Sequence, residues 1–229
     1  MIWRIALAAF LTLCLARLGL QQPRAQFNGC SAGFCSNTSG VAATTWNPSA
    51  IGAGISLSNG NLTATYTGAN ANNSGKANIS HLSGKFYWEI VWNVNGASAA
   101  DVIGFGTASA GLTNYQIGIT DNNSYGWTPS GAVYFQGASV ASIQSCSVTS
   151  TCSIALDIGA NLVWFRTDAG NWNNSGTANP ATGVGGLSIS PLGTPLFPMF
   201  TTFVSGDQLV ANFGATAFAQ TAPAGFGKW

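Results

Sequence analysis

The chain has 229 residues, 46% of them hydrophobic and 11% aromatic, which is enough to bury one substantial core and, at this length, to form one main domain. Only 6% of the residues are charged, so the surface must be covered by Ser, Thr, Asn, Gln and Gly. Without Arg4, Arg17 and Arg24 the chain keeps four Lys and Arg against six Asp and Glu, a net charge of −2, which argues against nucleic-acid binding through phosphate neutralisation.

Residues 1–26 read as a secretion signal, with Arg4 at the positive start and an apolar run over 5–15 that is too short to span a bilayer comfortably. Cleavage fits after Ala16 or after Ala25; the alternative is an uncleaved anchor interrupted by Arg17. The expected localisation is export, to the outside of the cell, the periplasm or the cell surface. Residues 27–45 are small, polar and without an apolar period, and read as a Cys-containing linker or N-terminal arm. Once the leader takes Cys14 away, Cys30, Cys35, Cys146 and Cys152 remain, and an even number in an exported chain predicts disulfides. Local pairing within CSAGFC and CSVTSTC is one of three connectivities. A zinc site is disfavoured by these spacings and by a single histidine.

The domain is expected over 46–229. Ile55, Leu57, then Asn59-Gly60, then Leu62, Ala64 and Tyr66 predict a hairpin about an Asn-Gly turn. In residues 83–94 a Gly turn starts a strand with Phe86, Trp88, Ile90, Trp92 and Val94 on one face and Tyr87, Glu89, Val91 and Asn93 on the other. Short apolar runs recur at 102–106, 115–120, 124–127, 132–135, 153–158, 161–167, 196–204 and 208–213. The similar stretches Asn72-Asn73-Ser74-Gly75 and Asn173-Asn174-Ser175-Gly176 read as turns. No segment outside the leader has helical periodicity, so the expected fold is all-β: a two-sheet antiparallel β-sandwich of jelly-roll or concanavalin-like type.

The order of these elements resembles a SPRY domain. The residues that carry the resemblance are GKFYWEI at 84–90, IGFG at 103–106, the NSYGWTPSG segment that ends at Gly131, CSIALDIGANLVWFR at 152–166, WNNSGTANPATGVGG at 172–186, LFPMF at 196–200 and NFG at 212–214. The resemblance implies core positions for Trp88, Trp127, Trp164 and Phe213, a tight turn shaped by Asp157 and Asn161, and a close backbone approach at Gly126. The stretch 171–186 resembles bacterial and phage-type variants, and so implies a phage-related setting with virion association as one localisation.

Chemistry is sparse. A glycosidase needs two carboxylates flanking the scissile bond, and Glu89 has no acidic neighbour over 83–100. It reads as an edge or loop-pairing carboxylate, with Lys85 as a partner. His81 is the sole histidine and no Gly-x-Ser-x-Gly elbow occurs. Asp121-Asn122-Asn123-Ser124 offers oxygen ligands for calcium but reads more simply as an Asx-rich turn. The expectation is a domain with no catalytic residues, metal or cofactor. What remains is recognition of a protein or glycan through loops at one edge of the sandwich, by Tyr115, Asn122, Asn123, Tyr125, Asn171, Trp172 and Asn173. The alternatives are a structural or decoration part of a phage or cell-surface assembly and, more weakly, a carbohydrate-active enzyme. The oligomeric state is left open.

Overall fold

Residues alternating apolar and polar with the strand period of two form most of the sheet structure. The computed structural model describes residues 42–96 and 100–229; the leader at 1–26, residues 27–41 of the arm, and Cys30 and Cys35 lie outside the described residues. In chain order the strands are β1 (Trp46–Ile51), β2 (Ile55–Ser58), β3 (Thr63–Tyr66), β4 (Asn73–Ala77) and β5 (Lys85–Val94). There follow β6 (Val102–Thr107), β7 (Ser124–Trp127), β8 (Ala132–Phe135), β9 (Ala138–Ser142) and β10 (Thr151–Asp157). The last are β11 (Leu162–Thr167), β12 (Leu187–Ser188), β13 (Leu196–Thr202), β14 (Gln208–Asn212) and β15 (Gly227–Lys228). Only two short 3-10 turns, Trp172–Asn174 and Pro180–Thr182, are helical among the described residues.

The strands form two sheets, in the orders β1-β4-β13-β6-β7-β8-β9 and β12-β11-β10-β5-β14-β3-β2. All neighbours on these paths are antiparallel, while β15 runs parallel to β5 beside Phe86 and Tyr87. The expected all-β, two-sheet architecture is therefore present. Trp88, Ile90 and Trp92 on β5 face Ile103 and Phe105 on β6 and Tyr125 and Trp127 on β7 across the shared core. Their rings pack edge-on or offset, with Trp88–Phe105 centroids 6.4 Å apart and Phe105–Tyr125 centroids 5.4 Å apart.

Each sheet also carries an outer cover. Residues 108–123 lie over β6 and β13, where Ile117 and Ala110 pack on Val102 and Met199. Gly126 permits this approach, since a Cβ there would sit 2.5 Å from the carbonyl oxygen of Ile117. On the second sheet, Tyr87, Ala155 and Trp164 point outward and are covered by Trp172, Ala178, Phe218 and Phe226 from two later segments. Trp164 is thus buried as expected, but beneath this cover rather than between the sheets.

Several sequence expectations are corrected. Asn73-Ser74-Gly75 is no turn: it lies in β4, a wholly buried strand paired with β13. Phe200 stacks over Gly75, where a Cβ would come within 2.5 Å of its ring, and Ser74 Oγ meets Thr201 Oγ1 at 2.8 Å. Residues 115–120 form no strand: the chain turns there, with Ile119 N and Thr120 N on Gln116 O, and Ile117 and Ile119 pack down onto the first sheet as part of its cover. Lys85 pairs with Asp157 at 3.0 Å, not with Glu89. Val94 ends its strand exposed. Of the cysteines, Cys146 and Cys152 are joined.

Candidate recognition surface

Strand directions sort the loops into two groups. The end of β5 at Val94 lies beside the start of β14 at Gln208, the start of β10 pairs with Val91, and Val102 opens β6 opposite Thr201. Loops 67–72, 112–116, 147–150, 168–171 and 203–207, with residues 95–96 and 100–101, therefore meet at one end of the sandwich. The opposite end carries residues 42–45, the turn at 59–62, residues 79–84 and Trp229.

Buried polar groups hold the loop end in shape. The Asp207 carboxylate accepts from the backbone N–H groups of Gly96, Phe203 and Val204, while Asn95 Nδ2 donates to Asp101 at 2.8 Å. Ser74 Oγ donates to the carbonyl of Tyr115 at 3.0 Å, and the Tyr66 hydroxyl donates to the carbonyl of Ala69. Loop 147–150 is closed by the Cys146–Cys152 disulfide. At its tip Thr149 has φ +70°, an uncommon conformation for a β-branched residue, and its N–H is held by Trp92 O at 2.9 Å.

What this end presents is neutral and partly apolar. Val94, Tyr115 and Val148 are exposed by 48%, 46% and 40%. Asn93 is exposed beside them, its Nδ2 donating to Gln208 Oε1 at 2.8 Å, as are Asn70, Asn114 and Ser147. Asp168 is the exposed acid of these loops, with Oδ1 accepting from Thr151 N. Sequence reading missed Val94 and Val148. Val94 continues an apolar alternation and looks like core, and Val148 stands alone between polar residues; the cysteines flanking its loop were the available signal.

The residues expected to bind are not gathered in one place. Tyr115 and Asn171 are at the loop end, the latter tied in by Gln144 Nε2 donating to its carbonyl at 3.0 Å. Asn122 and Asn123 are exposed where the outer cover of the first sheet returns to β7. Trp172 is half-buried on the outside of the second sheet, edge-on to Tyr87 and capped by the Arg166 guanidinium 4.4 Å from its ring. Asn173 is a structural pin there, accepting from Phe165 N and donating to Gly185 O. Tyr125 is a correction: it is fully buried, stacked between Phe105 and Phe165, and burial raises its phenol pKa well above the usual value.

The candidate reactive groups are likewise committed to structure. Glu89 lies under the outer cover, where its carboxylate accepts from Tyr87 Oη at 2.8 Å and from the N–H groups of Ala219 and Gln220. Asp121 accepts from Gly111 N, Asn123 N and Ser124 Oγ, which makes the expected Asx turn. Asp157 takes Ala160 N in the turn shared with Asn161, at φ +56°. His81 stacks on Phe86 at 3.8 Å with Trp229 edge-on, and burial lowers its pKa. Lys76 is buried, with Nζ donating to Ala108 O; its desolvation lowers its pKa against the opposing pull of Asp121. No group of three or more His, Cys, Asp or Glu gathers among the described residues.

No protein-family model matches the sequence, and no curated protein matches it. Solved structures match in fold. The SPRY domain of human HERC1 aligns with a TM-score of 0.59 at 15% identity, over 75% of this chain and 99% of that one. The TRIM65 PSpry domain gives 0.52 at 13% identity over 74% and 91%. Stonustoxin gives 0.54 at 16% identity, over 74% of this chain and 27% of the toxin chain. The architecture is that of SPRY domains.

Proposed function

We propose that this domain is a non-catalytic recognition module that binds a protein or glycan through the loop end of its sandwich. One observation carries the reading: both outer sheet faces bear covers from the chain itself, whereas the loop end leaves Val94, Tyr115 and Val148 exposed on a nearly uncharged surface. Likeness to SPRY domains, which are in general protein-interaction modules, supports a protein partner. Glu89, Asp121, Asp157 and Asp207 each spend their oxygens on the domain's own donors or on Lys85, which weighs against hydrolysis by a carboxylate pair. The Cys146–Cys152 disulfide and the apolar run near the N-terminus support an exported setting.

A screen of the full chain against peptide and glycan arrays tests this reading. Binding to at least one peptide or glycan is expected, reduced at least about tenfold by Tyr115→Ala, a loss of roughly 1.4 kcal/mol. Binding that ignores changes at Val94, Tyr115 and Val148 would remove the loop end from consideration.

A further inference from the structure

An edge strand leaves a row of backbone N–H and C=O groups unpaired, and proteins usually blunt such edges with proline, charge, bulges or shortness. Among the described residues, three of the four edges that end the two strand paths are blunted. β1 contains Pro48 and pairs irregularly with β4; β9 carries a bulge at Val140, since Val133 faces Ala141 while Tyr134 faces Ser139; β12 has two residues. The fourth edge, β2, has the sequence ISLS, without charge or proline, and stays in register with β3 from Ile55↔Tyr66 to Ser58↔Thr63.

The ladder fixes which groups of β2 point outward. Tyr66 donates to Asp207 O and accepts from Gly206 N, and Leu62 O accepts from Ala211 N, so this set of β3 groups turns toward β14. By antiparallel alternation Thr63 and Thr65 bond β2 through Ser58 and Ser56. Leu57, between them, directs its N–H and C=O away from β3, at an edge that pairs with no other strand among the described residues. Its side chain is half-buried against the core, whereas Ser56 and Ser58 face solvent.

We propose that β2 is a self-association edge, at which two copies of this chain pair antiparallel about a twofold axis at Leu57. Antiparallel pairing of identical strands generates a twofold by itself. Centring it on Leu57 places that residue opposite its counterpart, each donating its N–H to the other's carbonyl. The same register sets Ser56 opposite Ser58 of the second copy, which keeps core-facing side chains on one face and solvent-facing ones on the other. A register shifted by one residue would oppose Leu57 to Ser56, mixing the faces. The small uncharged side chains add no repulsion, so the edge is complementary to itself in hydrogen bonding, side-chain facing and charge.

A four-residue edge is far smaller than the roughly 1,600 Å² of a standard interface, so the association is weak and concentration-dependent. Sedimentation equilibrium of the full chain, up to about 1 mM, is expected to show a monomer–dimer equilibrium. Leu57→Pro removes the outward N–H without touching the β2–β3 ladder and is expected to leave only monomer with an unchanged circular dichroism spectrum. Ser56→Lys with Ser58→Lys sets like charges opposite each other and is expected to weaken the dimer several-fold; Ser56→Lys with Ser58→Asp sets opposite charges there and restores it. A chain that stays monomeric at about 1 mM overturns the proposal. So does a dimer indifferent to Leu57→Pro, or to the arrangement of charge at Ser56 and Ser58.

Discussion

The two ends of the sandwich are closed by different means. At the end that carries Trp229 the closure is aromatic: His81 stacks on Phe86, Trp229 sits edge-on to both His81 and Trp88, and its indole N–H is held by Ile79 O at 3.0 Å. At the loop end the closure is polar: Asp207 accepts from backbone N–H groups, Asn95 donates to Asp101, and the paired Ser74 and Thr201 hold Tyr115 O and Ile117 N. An aromatic plug removes most apolar surface from water and leaves Leu82 as the exposed large apolar side chain of that end, against three at the loop end. Loops pinned by hydrogen bonds keep their shape while Val94, Tyr115 and Val148 remain in solvent, which is what a preorganised binding surface requires.

That contrast can be broken from either end. The largest effect is expected from Trp229→Ala, which opens the plug and should cost about 3–5 kcal/mol in urea unfolding while the folded fraction keeps its binding. Asp207→Ala leaves the N–H groups of Gly96, Phe203 and Val204 without their acceptor; a loss of roughly 2–3 kcal/mol is expected together with weakened binding, measured on the same samples. Separation of stability from binding in the first variant and their joint loss in the second is the signature of the contrast.

Smaller effects sharpen it. Cys146→Ser with Cys152→Ser frees a short loop, for which chain entropy gives about 2 kcal/mol, and the strained Thr149 conformation should relax. Faster amide exchange confined to 147–150 would show this. The smallest effect concerns pH. Burial lowers the His81 pKa in the folded state, so as pH falls through about 6.5 the unfolded chain takes up the proton first. Stability should decline from there and level off below the folded pKa, and His81→Phe should flatten that stretch of the profile.

Much of the fold was legible in the sequence because β5, β6, β10, β11 and β14 each carry apolar residues at the strand period, with Asn or Gly turns between them. β4 was not legible. Its residues Asn73 to Ala77 are buried by what surrounds them: Phe200 over Gly75, Tyr66 Oη accepting from Asn73 Nδ2, and Thr201 on Ser74. A strand whose burial comes from its partners leaves no periodic trace of its own. The opposite error arises at 115–120, where Tyr115, Ile117 and Ile119 alternate like a strand, yet Ile117 and Ile119 pack on the first sheet about a turn closed on Gln116 O while Tyr115 stays in solvent.

The site was less legible than the fold for a related reason. Asparagine and aromatic residues near loops suggest binding, yet here the same residue types pin covers in place. Asn173 ties 171–186 to β11, Trp172 packs beneath Arg166, and Tyr125 lies at the second position of β7, just past the Asn-rich loop, but turns inward. Only Tyr115 and Asn171 of the expected set reach the loop end. Val94 and Val148 become visible once strand ends and the disulfide fix where the chain stops being buried.

The measurement that bears most directly on the central claim is binding of the array-identified peptide or glycan by the triple variant Val94→Ser, Tyr115→Ala, Val148→Ser. All three side chains are exposed, so the fold and melting temperature should be nearly unchanged. The loop-end account predicts an affinity loss of more than about tenfold, with Asn122→Ala and Asn123→Ala as silent controls far from that end. Unchanged affinity in the triple variant, or loss in the controls instead, would contradict it.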